Sequence, residues 1–109
     1  MLKARISVPA RARRGEVMAI KTLISHPMET GFRRNSLGQA IPRNILTRFE
    51  CRYNGKSVFT ATLHPAVAAN PFIAFHVRAQ DSGRLEFIWT DQDNKETSVI
   101  RELTVDPAA

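Results

Sequence analysis

Apolar and polar side chains alternate with a two-residue period through most of this chain, as they do in strands that bury one face. The clearest stretch is 16–24, where alternate residues form one apolar face: Met18, Ile20, Thr22 and Ile24. Further strands are predicted at 3–8, 45–53 and 96–105, after Asn54-Gly55, and on both sides of Asp81-Ser82-Gly83. No stretch has a convincing helical period. About seven strands joined by short turns predict an all-β fold, an immunoglobulin-like two-sheet antiparallel β-sandwich.

The turn signals also predict two hairpin registers. With Tyr53 to Gly55 as a three-residue turn, Phe49 lies opposite Phe59, whereas a two-residue turn would put apolar and charged side chains on the same face. Asp81-Ser82-Gly83, taken as a three-residue loop, predicts a second hairpin with these facing pairs: Ala79 and Leu85, Val77 and Phe87, Phe75 and Trp89, Arg78 and Glu86. A last turn is expected between Asp91 and Lys95.

The stretch 25–45 fits neither a helix nor a strand, and it is longer than an ordinary turn. Its sequence is SHPMETGFRRNSLGQAIPRNI, with charges at Glu29, Arg33 and Arg34 that a plain connector does not need. One interpretation is a loop whose side chains cap its own backbone. The other is a recognition surface, since binding residues concentrate on such loops. A second irregular segment, 64–72, is a candidate for the same end of the sandwich.

Composition indicates one globular domain over residues 1–109, with 43% hydrophobic and 24% charged residues. The 16 basic and 10 acidic residues give a net charge of +6, which favours acidic partners. The basic residues are scattered, and neither a recognition helix nor an aromatic stacking platform accompanies them. Nucleic acid is therefore a disfavoured partner, and a basic module that binds nucleic acid or an unrelated protein is the alternative function.

Candidate catalytic chemistry is sparse. The three histidines, His26, His64 and His76, lack the spacing of metal ligands, so no metal or other cofactor is predicted, and a site that recruits a methionine is the weaker alternative. Cys51 falls on the inward face of its strand, which favours a buried inert thiol over a nucleophile or an intermolecular bridge. No activated nucleophile or phosphate-binding glycine loop is recognisable. The chain is predicted not to be an enzyme.

Targeting signals are not recognisable in the sequence. Arg13-Arg14 is followed by Glu16 and Lys21 instead of the uninterrupted apolar run of an export signal. No stretch approaches the roughly 18 apolar residues of a membrane span. On these features alone a cytoplasmic location without membrane contact is expected.

One string in the long loop is distinctive. His26 to Gly31 reads HPMETG, and Arg33, Gly38 and Ile41-Pro42 follow it. Similar motifs occur later in the chain: Asn70-Pro71-Phe72, Phe75 and Trp89-Thr90-Asp91. Together these residues resemble the SoxZ family, the smaller subunit of the SoxYZ sulfur-carrier complex. The resemblance covers nearly the whole chain at nearly family length.

The resemblance implies an immunoglobulin-like sandwich that pairs with SoxY as a heterodimer or a higher assembly. In that family SoxY carries the sulfur intermediates of thiosulfate oxidation on a cysteine in its C-terminal segment, and through SoxY the complex meets other sulfur-oxidation enzymes. SoxZ is implied to be non-catalytic and periplasmic, exported together with signal-bearing SoxY. A related SoxYZ-like carrier system is equally compatible. In some members a cysteine bridges to SoxY, but the inward direction of Cys51 argues against this.

Seven residues are predicted to form the partner-binding surface: His26, Met28, Glu29, Thr30, Arg33, Arg34 and Asn70. In this hypothesis the two arginines attract an acidic partner surface or the anionic sulfur adduct, and Glu29 fixes the loop geometry. The competing interpretation is that 26–31 serves only to set the backbone conformation. The turn at Asp93-Asn94 departs from the family pattern, because a glycine is expected there.

Overall fold

Two facing β-sheets form the fold of this protein. The computed structural model describes residues 3–108; residues 1, 2 and 109, at the ends of the predicted domain, lie outside the described part. That part contains eight strands: β1 (Ala4–Ser7), β2 (Arg11–Arg13), β3 (Val17–Ile24), β4 (Leu46–Tyr53), β5 (Lys56–Thr62), β6 (Phe72–Arg78), β7 (Gly83–Asp91) and β8 (Glu96–Asp106). The sheets have the strand orders β1-β3-β6 and β2-β8-β7-β4-β5. The predicted all-β, immunoglobulin-like sandwich is confirmed.

Strand β2 lies in a segment that was expected to be a basic loop. It pairs in parallel with β8, with Arg11 beside Thr104 and Ala12 beside Val105. All other strand pairs among the described residues are antiparallel, as predicted. Only Ala12 of this strand points into the core. A single small apolar residue between arginines gives no detectable two-residue period, so the sequence pattern could not predict β2.

The core between the sheets is centred on Phe49, whose side chain is fully buried. Its ring centroid lies 5.1 Å from that of Trp89 and 5.8 Å from that of Phe75. Strand β3 supplies the predicted apolar face, since its residues are alternately exposed and buried along its whole length. The two sheets therefore pack against each other through the inward-facing side chains of both sheets. Among residues 3–108 the buried Trp89 Nε1 has no hydrogen-bond partner within the protein.

The turn between β4 and β5 differs from the predicted one. It has two residues, Asn54-Gly55, with left-handed φ values of 51° and 81°. A β-bulge then shifts the register, so that Phe49 lies opposite Ala61 instead of Phe59. The extra residue of the bulge returns the apolar side chains of β5 to the inward face. The three-residue turn at 53–55 and its register are therefore wrong, although the predicted common apolar face exists.

The predicted hairpin around Asp81-Ser82-Gly83 is also wrong, because β6 and β7 belong to different sheets. β6 pairs with β3, and β7 pairs with β4 and β8. The apolar side chains of both strands still point into one core, and this arrangement has the same alternation as a hairpin ladder. Arg78 donates to the carbonyl oxygen of Gly15 at 2.6 Å, so its predicted pairing with Glu86 is absent from the described ion pairs.

The expected turn between Asp91 and Lys95 joins β7 to β8 and is confirmed. Oδ1 of Asp91 accepts hydrogen bonds from the backbone N–H groups of Asp93 and Lys95, at 2.8 and 2.9 Å. Asn94 has a φ of 62°. Asparagine tolerates this left-handed conformation, so it can replace the glycine that the family pattern led us to expect.

Candidate functional site

The long loop folds into an ordered hairpin, residues 26–44, which we call the arm. Glu29 and Asn44 exchange two backbone hydrogen bonds, each 2.8 Å long. Further along the arm the N–H of Ile41 donates to the carbonyl oxygen of Arg33 at 2.9 Å. The loop therefore satisfies much of its own backbone by pairing with itself, and it presents its side chains from a defined frame.

The tip of the arm is fixed by Asn35. Its Oδ1 accepts hydrogen bonds from the N–H groups of Leu37 and Gln39, at 2.9 and 3.0 Å. The guanidinium of Arg34 donates to the carbonyl oxygen of Gly38 at 2.8 Å, and Gly38 has a left-handed φ of 78°. A glycine adopts this conformation without strain. These contacts join the two sides of the exposed tip to each other.

The root of the arm is buried around His26, whose side chain is only 4% exposed. Its Nδ1 accepts a hydrogen bond from the N–H of Met28 at 3.0 Å. The N–H of His26 donates to Oδ1 of Asn70 at 2.9 Å, and the N–H of Asn70 donates to the His26 carbonyl oxygen at 2.7 Å. The segment 64–71 therefore lies at the arm's end of the sandwich, as expected from its irregular sequence.

Met28 also belongs to the root. It has a φ of 50°, which is uncommon for a residue other than glycine. Its side chain is buried, and its Sδ atom accepts the N–H of Leu46 at 3.3 Å. His26 and Met28, both predicted to bind a partner, thus lie inside this protein and hold the root of the arm.

Glu29 and Arg33 form an ion pair along one branch of the arm. Nε of Arg33 donates to Oε2 of Glu29 at 3.1 Å, and Nη2 donates to Oε1. This hydrogen bonding lowers the pKa of Glu29 and raises that of Arg33. Nearby, Oγ1 of Thr30 accepts the N–H of Phe32 at 3.2 Å. Glu29 therefore fixes the orientation of the Arg33 side chain, and Thr30 fixes the backbone at Phe32.

Two exposed apolar side chains complete the arm, and the sequence interpretation missed both. Phe32 is 88% exposed and Leu37 is 80% exposed. They lie among the cationic side chains of Arg33, Arg34 and Arg43, which are exposed as well. A large apolar residue in a polar, glycine-flanked loop is a signal that could have indicated both of them. The arm thus offers apolar area together with positive charge.

The arm accounts for part of the elongated shape. The chain measures 63 × 20 × 20 Å along its principal axes. The longest strand, β8, has 11 residues and spans about 36 Å at 3.3 Å per residue. The sandwich alone does not fill the long dimension, so the hairpin and the turns extend it.

Burial of His26 makes the arm's root sensitive to acid. Desolvation lowers its pKa below the ordinary value of 6.5, although a hydrogen bond with Asn44 and the charge of Asp91 oppose the shift. Well above pH 6.5 the imidazole is neutral in both the folded and the unfolded state. As the pH falls below 6.5, the unfolded chain takes up a proton before the folded chain does, so the free energy of unfolding decreases, by up to about 1.4 kcal/mol per pH unit.

We expect urea unfolding at pH 7.5 and 5.5 to show this loss, and the His26→Gln variant to show a smaller one. The glutamine does not titrate, so the difference between the two pH slopes isolates His26 from the other titrating groups. Equal slopes would mean that the imidazole is as easily protonated in the folded protein as in the unfolded chain.

The remaining candidate residues, Cys51, His64 and His76, lie outside the arm. Cys51 is fully buried as predicted, and desolvation raises its pKa to about 12, so its thiol stays protonated at neutral pH. His64 and His76 are exposed on separate elements. Within residues 3–108 no group of three or more His, Cys, Asp or Glu side chains could hold a metal ion. The same residues contain no helix long and apolar enough to cross a membrane.

The fold and the arm define an immunoglobulin-like β-sandwich with an ordered, exposed hairpin at one end. The family model described as "Sulphur oxidation protein SoxZ" matches residues 5–100. The chain therefore belongs to the SoxZ family of sulfur-oxidation proteins, which confirms the resemblance of its motifs. No curated protein matches it in sequence.

Solved structures share the fold at low sequence identity. The sulfur carrier protein SoxY from Chlorobium limicola f thiosulfatophilum aligns with a TM-score of 0.65 and 16% identity, over 94% of this chain and 74% of that chain. The superoxide reductase (neelaredoxin) from Ignicoccus hospitalis aligns with a TM-score of 0.70 and 14% identity, over 94% and 80% of the two chains. At these identities the likeness shows the fold alone.

Proposed function

We propose that this chain is the non-catalytic subunit of a sulfur-carrier complex, in which it binds a SoxY-like subunit whose cysteine carries the sulfur intermediates. The observation that carries this proposal is the SoxZ family match over residues 5–100. The buried, protonated thiol of Cys51 supports it, because such a thiol is a poor carrier of a sulfur adduct. A periplasmic location shared with the partner belongs to the same proposal.

The arm is the proposed docking surface. Its fixed root and tip reduce the conformational entropy that binding would otherwise cost. Phe32 and Leu37 supply apolar area that is exposed in the isolated chain, and arginines surround them. Aromatic anchors with neighbouring arginines are typical of the residues that carry binding energy in protein interfaces. The buried His26 and Met28 contribute by holding the root.

Co-expression with a SoxY-like subunit tests the proposed function. The expected result is a one-to-one complex on size-exclusion chromatography. Intact mass after incubation with a sulfur donor should show an adduct on the partner's cysteine and none on Cys51. Separate elution of the two chains, or an adduct on Cys51, would contradict the proposal.

Replacing Arg33 and Arg34, which precede the tip of the arm, tests the arm as a docking surface. In the Arg33→Ala/Arg34→Ala variant we expect the Kd for the SoxY-like subunit to rise about tenfold at low salt, mainly through slower association, because long-range attraction to an acidic surface is lost. Surface plasmon resonance at low and high salt measures this. The matched control is Arg48→Ala/Arg52→Ala, which removes two charges beside Glu50 in β4. Equal weakening by both double variants would deny the arm a specific role.

A further inference from the structure

The outward face of the three-stranded sheet is a surface that the proposed function leaves unused. Two adjacent rows across β1, β3 and β6 consist of Arg5, Leu23 and Phe72, and of Ser7, Lys21 and Ala74. We call these six residues the basic face. All are exposed, whereas the residues between them in each strand point toward the core.

Charge on the basic face has one sign. Strands β1, β3 and β6 contain no aspartate or glutamate. Within residues 3–108 neither Arg5 nor Lys21 forms an ion pair. The five-stranded sheet differs, because there Glu50 lies between Arg48 and Arg52 and pairs with both. Cations without nearby carboxylates create a local positive potential, so the basic face attracts anionic groups.

Apolar surface lies between these cations. Leu23 is 37% exposed and Phe72 is 62% exposed. A cavity of about 280 Å³ opens beside them, lined also by Arg5 and Lys21. A second depression of about 210 Å³ shares Arg5 and Leu23 and is lined also by Lys3, Ser25 and Asn70. The two depressions adjoin at Arg5 and Leu23, and together they make a shallow groove in which exposed apolar side chains lie beside cations.

We propose that the basic face binds an extended acidic segment of a protein partner. An apolar side chain of that segment sits between Leu23 and Phe72, and its carboxylates pair with Arg5 and Lys21. Peptide chemistry fits this groove better than a phosphate backbone or a lipid surface does. A phosphate backbone carries no apolar side chain to cover Leu23 and Phe72. A lipid surface attracts clusters of about four to eight cations, whereas here Arg5 and Lys21 are diagonal neighbours beside exposed apolar surface that offers a place for a side chain.

The basic face is built from strands and does not include the arm. The proposal therefore concerns residues other than those of the proposed docking of a SoxY-like subunit on the arm, although the groove reaches Asn70, which holds the root of the arm. Substitutions at Lys21 or Phe72 should leave the complex with that subunit intact, so failure of one proposal can be told from failure of the other.

Fluorescence anisotropy with a defined probe tests the basic face. The probe is a fluorescein-labelled peptide with one phenylalanine flanked on each side by two glutamates, and its control has glutamines in place of the glutamates. We expect the acidic peptide to bind the full chain at least about tenfold more tightly than the control peptide. Lys21→Glu should weaken acidic-peptide binding about tenfold or more, and Phe72→Ala about fivefold, because charge and apolar contact both contribute.

Arg84→Glu is the matched control, since it makes the same charge change on an exposed residue of the five-stranded sheet. It should alter acidic-peptide affinity by less than about twofold if the basic face is the site. Equal weakening by Lys21→Glu and Arg84→Glu would overturn the proposal in favour of a net-charge effect. Failure of the acidic peptide to bind would overturn the proposal as well. Lys21-dependent binding of phosphatidylglycerol vesicles, an oligonucleotide or a second copy of the chain would then identify a different occupant of the basic face.

Discussion

Phe49→Ala is expected to lower the free energy of unfolding by about 3–5 kcal/mol, the usual cost of truncating a buried phenylalanine. The ring is fully buried and is surrounded by other aromatic rings: Phe59, Phe75, Phe87 and Trp89. These rings come from both sheets. The truncation therefore leaves a cavity between the sheets, which a shift within one sheet cannot fill. Domains of this kind are stable by about 5–15 kcal/mol in total, which brings the variant close to unfolding.

Urea unfolding followed by the fluorescence of Trp89, the single tryptophan, measures this loss. Phe32→Ala is the matched control, because it makes the same truncation at a side chain that is 88% exposed. We expect that control to change stability by less than about 0.5 kcal/mol. A loss below about 1 kcal/mol in Phe49→Ala would contradict a core centred on this ring.

The period of two predicted which residues point inward more reliably than it predicted which strands pair. In β3 the inward residues contact the core and the outward residues contact solvent. Apolar side chains are therefore needed at every second position, and this alternation can be seen in the sequence. Strands β6 and β7 also alternate, but they do so in opposite sheets. Two strands facing across a core and two strands paired in one sheet satisfy the same pattern, and so the local sequence cannot separate them.

The arm shows the same division between local and long-range information. Its position and a role for Glu29 in its geometry could be expected from the loop sequence. The burial of His26 could not, because it depends on hydrogen bonds to Asn70 in a segment distant along the chain. Exposure of Phe32 likewise depends on the backbone frame that holds it away from the core. Both interpretations of the loop are therefore compatible with one structure, in which a self-satisfied backbone displays a candidate binding surface.

Removing the two exposed apolar side chains of the arm should weaken the complex with a SoxY-like subunit more than any loss of charge. In Phe32→Ser/Leu37→Ser we expect the Kd to rise about 1,000-fold, since interface anchors contribute about 2 kcal/mol each and about 1.4 kcal/mol corresponds to a tenfold change in Kd. The fold should be unaffected, because these side chains are 88% and 80% exposed in the isolated chain. Isothermal titration calorimetry with the partner subunit measures the affinity, and urea unfolding checks the fold.

The control for this pair is Val17→Ser/Ile100→Ser, which removes two apolar side chains that are 51% and 47% exposed on the sheets. It loses a comparable kind of surface away from the arm, so its affinity for the partner should stay within about twofold of the original. If instead the arm variant binds normally and the control does not, the docking surface lies on the sheets. The arm would then not be the docking surface, and the exposure of Phe32 and Leu37 would not be explained by binding of the SoxY-like subunit.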